Sequence, residues 1–298
     1  MCKPFLKWVG GKTQIIDQVI ASFPAVIKDY HEPFIGGGSV LLTLLSHVKE
    51  KEIFIKGKIY AYDLNEALIY VYKNIQTDYK LVYSHIKKLI DTYNSLKEPE
   101  KSDERKKIVI KTLEDAYKDK ETFYYWLRDE YNNIDKKTVE ASALFIFLNK
   151  TCFRGVFRMG PKGFNVPYGN YKNPEITSET HLKEVSELIQ PVIFTHCDFK
   201  EALSNVKKNS FVYLDPPYVP ENVKSFVGYT DKGFSEHKKL FEMCDELNNK
   251  GIRFVMSNSN VEVVTSHFKD YKVYPIECKR SINSKKPGST TTEVIIVN

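Results

Sequence analysis

Phe211-Val212-Tyr213-Leu214-Asp215-Pro216-Pro217-Tyr218 reads as a buried strand that ends abruptly in an acid, two prolines and an aromatic residue. Working outward, strand-like segments recur on both sides of it. Downstream lie Ile252–Met256, Tyr271–Pro275 and Glu293–Val297; upstream lie Pro191–His196, Lys58–Tyr62 and the short His31–Phe34. Helical stretches separate them: Thr13–Ser22, Ser39–Val48, Glu236–Asn249 and Val261–His267. Strands alternating with helices predict a mostly parallel sheet covered on both faces. The alternation stops after Asn65. Up to about Lys150 the apolar residues, among them Tyr72, Ile75, Ile86, Trp126, Leu144 and Phe147, recur with helical period. The segment from Gly155 to Pro174 then carries turn residues, and Leu96–Lys107 is a charged junction. The expected organisation is a discontinuous α/β domain, residues 1–66 and 190–298, with a helical insertion over 67–189.

Composition agrees with an ordinary globular protein: 42% hydrophobic and 28% charged residues in 298 leave ample material for one core. No window is apolar enough to span a bilayer and Met1–Trp8 has no signal-peptide core, so no membrane partner and a cytoplasmic location are expected. Five scattered cysteines without a C-x-x-C pair suggest neither a redox site nor a bound metal. The net charge of +6 is mild, but its distribution is uneven. Between Ile146 and Lys172 stand Lys150, Arg154, Arg158, Lys162 and Lys172 without an acid, and Lys279, Arg280, Lys285 and Lys286 form a second basic stretch. Two solvated loops or a polyanion-binding surface would both look like this.

Glu32-Pro33-Phe34-Ile35-Gly36-Gly37-Gly38-Ser39 joins the first strand to a helix. Its glycines permit a tight turn and close approach of a ligand to backbone N–H groups. It is not the full dinucleotide fingerprint, because Leu41 replaces the last glycine. Asp63, ending the second strand, can accept hydrogen bonds from both ribose hydroxyls of an adenosine. Asp198, just past the third, can take the adenine amino group with Phe199 against the ring. Either acid would serve equally as a helix N-cap. Gly10-Gly11-Lys12-Thr13 resembles the end of a phosphate-binding loop, but Leu6 stands where that loop needs glycine. A turn presenting Trp8 and Lys12 to another ligand is the better reading. In the quoted 211–218 stretch, the prolines fix φ and remove two N–H donors. Asp215 and the Pro216 carbonyl are then two acceptors for one planar amino group, with Tyr218 placed to stack on its ring.

Taken in this order, these motifs resemble the Dam-like (D12, alpha group) DNA adenine-N6 methyltransferases, whose segments also include Phe5 to Lys12 and Ser257-Asn258-Ser259. The resemblance implies a Rossmann-like S-adenosyl-L-methionine-dependent methyltransferase sheet with an inserted helical DNA-recognition domain. By it, Trp8, Lys12, Pro33, Phe34, Gly36, Gly38, Asp63, Asp198 and Phe199 form the cofactor pocket. Asp215, Pro216, Pro217 and Tyr218 form the catalytic loop, and Lys7 lies close to double-stranded DNA. Asn149–Gly169 matches the recognition segment, giving Asn149, Lys150, Arg154, Arg158 and Lys162 as DNA contacts: the arginines for bases, the lysines for phosphates. A cognate restriction endonuclease acting on the same site would be a natural partner. Val9 stands where alanine is common, and Arg154 where many relatives have asparagine, so the GATC target of the best-known relatives is not carried over. No Pro-Cys pair exists for cytosine-C5 chemistry, and the cytosine-N4 enzymes usually show Ser-Pro-Pro-Tyr.

Overall fold

A computed structural model describes residues 2–99, 110–220, 234–279 and 290–298. Arg280, Lys285 and Lys286, the turn Ser284–Ser289 and most of the charged junction before Lys107 lie outside them. Seven strands form the main sheet: β1 (Tyr30–Glu32), β2 (Ile59–Asp63), β3 (Val192–His196), β4 (Phe211–Leu214), β5 (Arg253–Ser259), β6 (Lys272–Lys279) and β7 (Thr290–Val297). Their order is β6-β7-β5-β4-β1-β2-β3. β7 alone runs antiparallel, between β5 and β6, and the neighbouring pairs from β5 across to β3 are parallel. The chain passes from β1 outward to β2 and β3, then returns to place β4 on the other side of β1. Ligands of such sheets sit at this reversal, beyond the carboxyl ends of the strands. Glu32, Asp63, Asp198 and Asp215 stand at or just past four adjacent carboxyl ends, so parallel pairing alone collects four acids on one edge.

Ten helices accompany the sheet among the described residues: α1 (Ile16–Ala21), α2 (Ser39–Lys49), α3 (Glu66–Ser95), α4 (Leu113–Ala116), α5 (Lys120–Asn133), α6 (Val139–Thr151), α7 (Glu179–Ile189), α8 (Phe199–Ser204), α9 (His237–Asn249) and α10 (Glu262–His267). α3 starts where Asn65 caps it, its side chain accepting from Leu68 N. The helix is interrupted at Asp78, where φ is −153° and ψ is 80°. Before the break it lies on the sheet: Tyr72 stacks on Phe194 of β3 at 5.0 Å, and the Gln76 amide donates to Ile189 O and Val192 O. Beyond it, Tyr93 packs edge-on against Phe147 of α6 and shares a 2.6 Å hydrogen bond with Tyr168. One helix, starting at Glu66, thus contacts both the sheet and α6. α6 is buried from Ala141 to Asn149 and packs against α3 and α5.

Several elements differ from their sequence-based bounds. The helix expected over Thr13–Ser22 is a 3-10 turn (Lys12–Gln14) followed by α1, because Ile15 leaves helical geometry at φ −123°. β5 continues past the expected end at Met256 through Ser257, Asn258 and Ser259, polar residues that pair with β7 and are buried. Inside the turn-rich segment, Met159–Gly160 and Gly163–Phe164 form a small antiparallel hairpin. No helix among the described residues is long and apolar enough to cross a membrane.

Candidate active site

A cleft of about 800 Å³ opens at the carboxyl edge of the sheet. One wall is the loop after β1. Gly36 adopts φ +49° and Gly38 φ +72°, which only glycine takes without strain. The loop also passes so close to Trp8 that a β-carbon at Gly37 would lie 2.7 Å from Trp8 Cβ. Trp8 is held in turn by stacking on Phe157 at 5.8 Å and Phe145 at 6.4 Å, both from the insertion. Of the expected pocket residues, Trp8, Lys12, Pro33, Phe34, Gly36, Asp63, Asp198 and Phe199 all line the cleft. Gly38 lies behind it, capping α2 where a side chain would collide with the Tyr72 hydroxyl.

Asp63 accepts from Gly36 N at 3.1 Å and Asn65 N at 2.9 Å. Burial raises its pKa, and these backbone donors oppose the rise. Asp198 does cap a helix, accepting from Lys200 N at 2.9 Å, while its residue still faces the cleft. Phe199 is buried behind Phe34, stacked at 5.6 Å, and Phe234 closes the aromatic corner.

Asp215 leaves β4 into the opposite wall with Pro216, Pro217 and Tyr218. Its Oδ1 receives the Lys12 ammonium at 2.7 Å. Lys12 is only 3% exposed, donates also to Gly10 O at 2.6 Å, and sits 4.8 Å from the centre of the Tyr218 ring. Burial lifts the Asp215 carboxyl to about 6, against the opposing pull of Lys12, and the charge of Glu293 adds to the rise. Behind Asp215, Glu32 accepts from the Tyr30 hydroxyl at 2.7 Å and is pushed to about 8, by burial first and by the Asp215 charge as well. The loop's exit is tied to β5: Val219 N donates to Asn258 Oδ1 and Ser259 Oγ donates to Val219 O. Tyr218 Oη donates to Glu293 Oε2 at 2.8 Å. Sequence reasoning missed three features here. These are the Lys12–Asp215 pair, the carboxyl of Glu293, and the contribution of Tyr131, Lys136 and Met159 from the insertion to the cleft. No local pattern announces them, because each depends on chain segments far apart in sequence.

Residues 8–282 match the profile of the D12 class N6 adenine-specific DNA methyltransferases. The chain belongs to this family. It is 37% identical to the type II methyltransferase M.MjaIII of Methanocaldococcus jannaschii over 99% of both chains. It is 29% identical to the type II methyltransferase M1.LlaDCHI of Lactococcus lactis subsp. cremoris, over 99% of this chain and 95% of that one. Against the DNA adenine methylase of Haemophilus influenzae the identity is 27%, covering 94% and 88%. The protein is therefore an adenine-specific DNA methyltransferase, and DNA is its substrate.

The structure distributes this methyltransferase's six expected DNA contacts unevenly. Lys7, Arg154, Arg158 and Lys162 are exposed, Lys162 on the turn of the small hairpin. Lys150 is half-buried, and burial lowers its pKa, with the charge of Lys7 acting in the same direction. Arg154 takes φ +59° and its backbone N donates to Tyr171 Oη at 2.8 Å, while the Lys7 ammonium lies over the Tyr171 ring at 4.3 Å. Arg158 folds onto Asn165, Nε to Oδ1 at 2.7 Å. Asn149 corrects the expectation. It is 2% exposed, accepts from Lys7 N and donates to Lys7 O and Gly155 O. With both amide ends committed to backbone, it pins the N-terminal strand of chain to the insertion and does not face a DNA partner.

Proposed function

We propose that this methyltransferase binds S-adenosyl-L-methionine in the cleft and methylates N6 of an adenine turned out of a specific double-stranded DNA sequence. The cleft suits the cofactor. Its volume of about 800 Å³ is within the usual range for small-molecule sites. Asp63, with both oxygens already oriented by backbone N–H groups, keeps lone pairs for ribose hydroxyls. Asp198 beside the Phe34–Phe199 corner offers an acceptor and apolar rings for the adenine moiety. The glycine loop brings backbone close to the remainder. When bound, S-adenosyl-L-methionine supplies a methyl group already activated by its sulfonium.

The chain's own residues act on the target base. The N6 lone pair of adenine is delocalised into the ring, so the resting amine is a weak nucleophile. Asp215 and the Pro216 carbonyl accept its two N–H bonds, and these hydrogen bonds strengthen as the nitrogen becomes pyramidal and cationic. Lys12 keeps the Asp215 carboxylate fixed through one oxygen and leaves the other for the base. Tyr218 offers its ring face for stacking. A stacked base in a duplex does not reach such a loop, hence the extrusion. The ion-paired Asp215 on the cleft wall is the observation that carries this reading. Asp215→Ala protein, assayed with tritiated cofactor, should lose about 2–4 kcal/mol of transition-state stabilisation, roughly 30- to 1,000-fold in rate. Activity within about threefold of wild type would overturn it.

Sequence is read by Arg154 and Arg158 in the major groove, with Lys7, Lys150 and Lys162 on phosphates. The relatives named as type II methyltransferases support a further step: this enzyme is the modification half of a restriction pair whose endonuclease cuts the same site. DNA methylated by the purified enzyme should then resist that nuclease.

A further inference from the structure

Glu293 is a carboxylate in the interior of a sheet. It stands on β7 opposite Ser259 of β5 and Ile276 of β6, and lines the same cleft as Asp215 and Tyr218. A charge so placed is costly without a strong partner. The Lys12 ammonium pairs with Asp215, and among the described residues Glu293 accepts from the Tyr218 hydroxyl at 2.8 Å. We propose that Glu293 is a positioning residue for methyl transfer, fixing the Tyr218 ring on which the target base stacks and setting the charge around Asp215.

The arrangement is consistent on both counts. Burial and the charges of Asp215 and Glu293 raise the Tyr218 pKa well above that of a free phenol, so the hydroxyl stays protonated and donates. The ring is clamped from two directions: Lys12 lies over it, and Glu293 holds its hydroxyl. The loop carrying it is anchored separately by Asn258 and Ser259, so loss of Glu293 frees the ring without freeing the loop. Among the described residues, the groups that face Asp215 are Lys12 from the N-terminal turn, Glu32 from β1, Tyr213 from its own strand, Tyr218, and Glu293 from β7. Cys278 of β6 lies beside Glu293, whose charge adds to the burial that lifts this thiol to about 11. Removing the Glu293 charge therefore lets the Asp215 carboxyl ionise at lower pH.

This inference rests on the adenine-methylating reading, and the test separates the two. Steady-state rates on duplex DNA are measured for wild type, Glu293→Ala, Glu293→Gln, Tyr218→Phe and Glu293→Ala combined with Tyr218→Phe. Loss of a hydrogen bond to a carboxylate should lower kcat about tenfold in Glu293→Ala while KM for S-adenosyl-L-methionine moves less than about threefold. In the Tyr218→Phe background the same substitution should cost less than about threefold, since the bond is already gone. Glu293→Gln, which still accepts from the phenol, should recover most of the lost rate, and the acid limb of its pH–rate profile should move to lower pH. Additive losses in the double variant, or a Gln variant no better than Ala with an unmoved acid limb, would overturn the role of Glu293. Should wild type place methyl groups elsewhere than on adenine, the functional reading itself fails, whatever the cycle shows.

Discussion

Replacing Lys12 by methionine removes one charge from the wall of the cleft and keeps a side chain of similar length, so the perturbation is mainly electrostatic. Lys12 Nζ is 2.7 Å from Asp215 Oδ1, and its charge is the principal force holding the carboxyl down at about 6. A neighbouring cation lowers a carboxyl pKa by about 1–3, so its loss should carry Asp215 to about 7–9. Only the ionised carboxylate is a pure acceptor for N6. The wild-type rate should therefore be half-maximal at about 6, level off about one pH unit above that, and fall about tenfold per pH unit well below it. In Lys12→Met the same limb should begin near pH 7–9, which leaves roughly one-tenth of the sites ionised at pH 7 if the new value is near 8. The rate should then recover as pH is raised. The assay is kcat from pH 5 to 9.5 with cofactor and duplex DNA both saturating. An acid limb that stays at its wild-type position or moves downward would refute the coupling of Lys12 to Asp215.

Other consequences are equally measurable. Glu32 is 2% exposed and lifted to about 8, so its proton is held more tightly in the folded state than in the unfolded one. The associated stability is present below about pH 4.5 and lost as pH rises through 8. Glu32→Gln should accordingly be more stable than wild type at pH 8.5, with a gap about 2–4 kcal/mol larger than at pH 5 by denaturant unfolding; equal gaps would contradict it. Gly37→Ala drives a methyl into Trp8, and overpacking of about 1–3 kcal/mol should appear as a lower Tm together with weaker cofactor binding in equilibrium titration. Unchanged binding and Tm would show that Trp8 has room to move. Arg154→Ala and Arg158→Ala should each cost about 1–3 kcal/mol and relax discrimination at one position of the mapped target. A uniform loss on every sequence, with the salt slope lowered by about one, would assign the arginine to phosphate instead.

Much of the site was legible because its chemistry is punctuated locally. Strands that stop in an acid, a glycine run or two prolines announce their carboxyl ends, and parallel pairing brings Asp63, Asp198 and Asp215 to one edge without further information. The limits are physical too. The expected strand stops at Met256 because Ser257-Asn258-Ser259 is polar, and the neighbours that meet the two serine hydroxyls and Asn258 Oδ1, Tyr213 and Val219, are distant in sequence. Asn149 sits in a basic, turn-rich run and was read with it, yet tertiary packing faces it toward the Lys7 backbone. Glu293 interrupts an otherwise ordinary β-strand, and only the register of β7 against β5 brings it beside Tyr218.

The central claim is that the Asp215–Tyr218 loop methylates adenine N6 in duplex DNA. Its most direct test is to treat unmodified duplex DNA with wild-type and Asp215→Ala protein and isotopically labelled S-adenosyl-L-methionine. The product is then digested to nucleosides and resolved by mass and retention. The account predicts label in N6-methyladenine alone for wild type, and at least about a 30-fold slower appearance for the variant. Label in a cytosine derivative, or undiminished N6-methyladenine from Asp215→Ala protein, would contradict it.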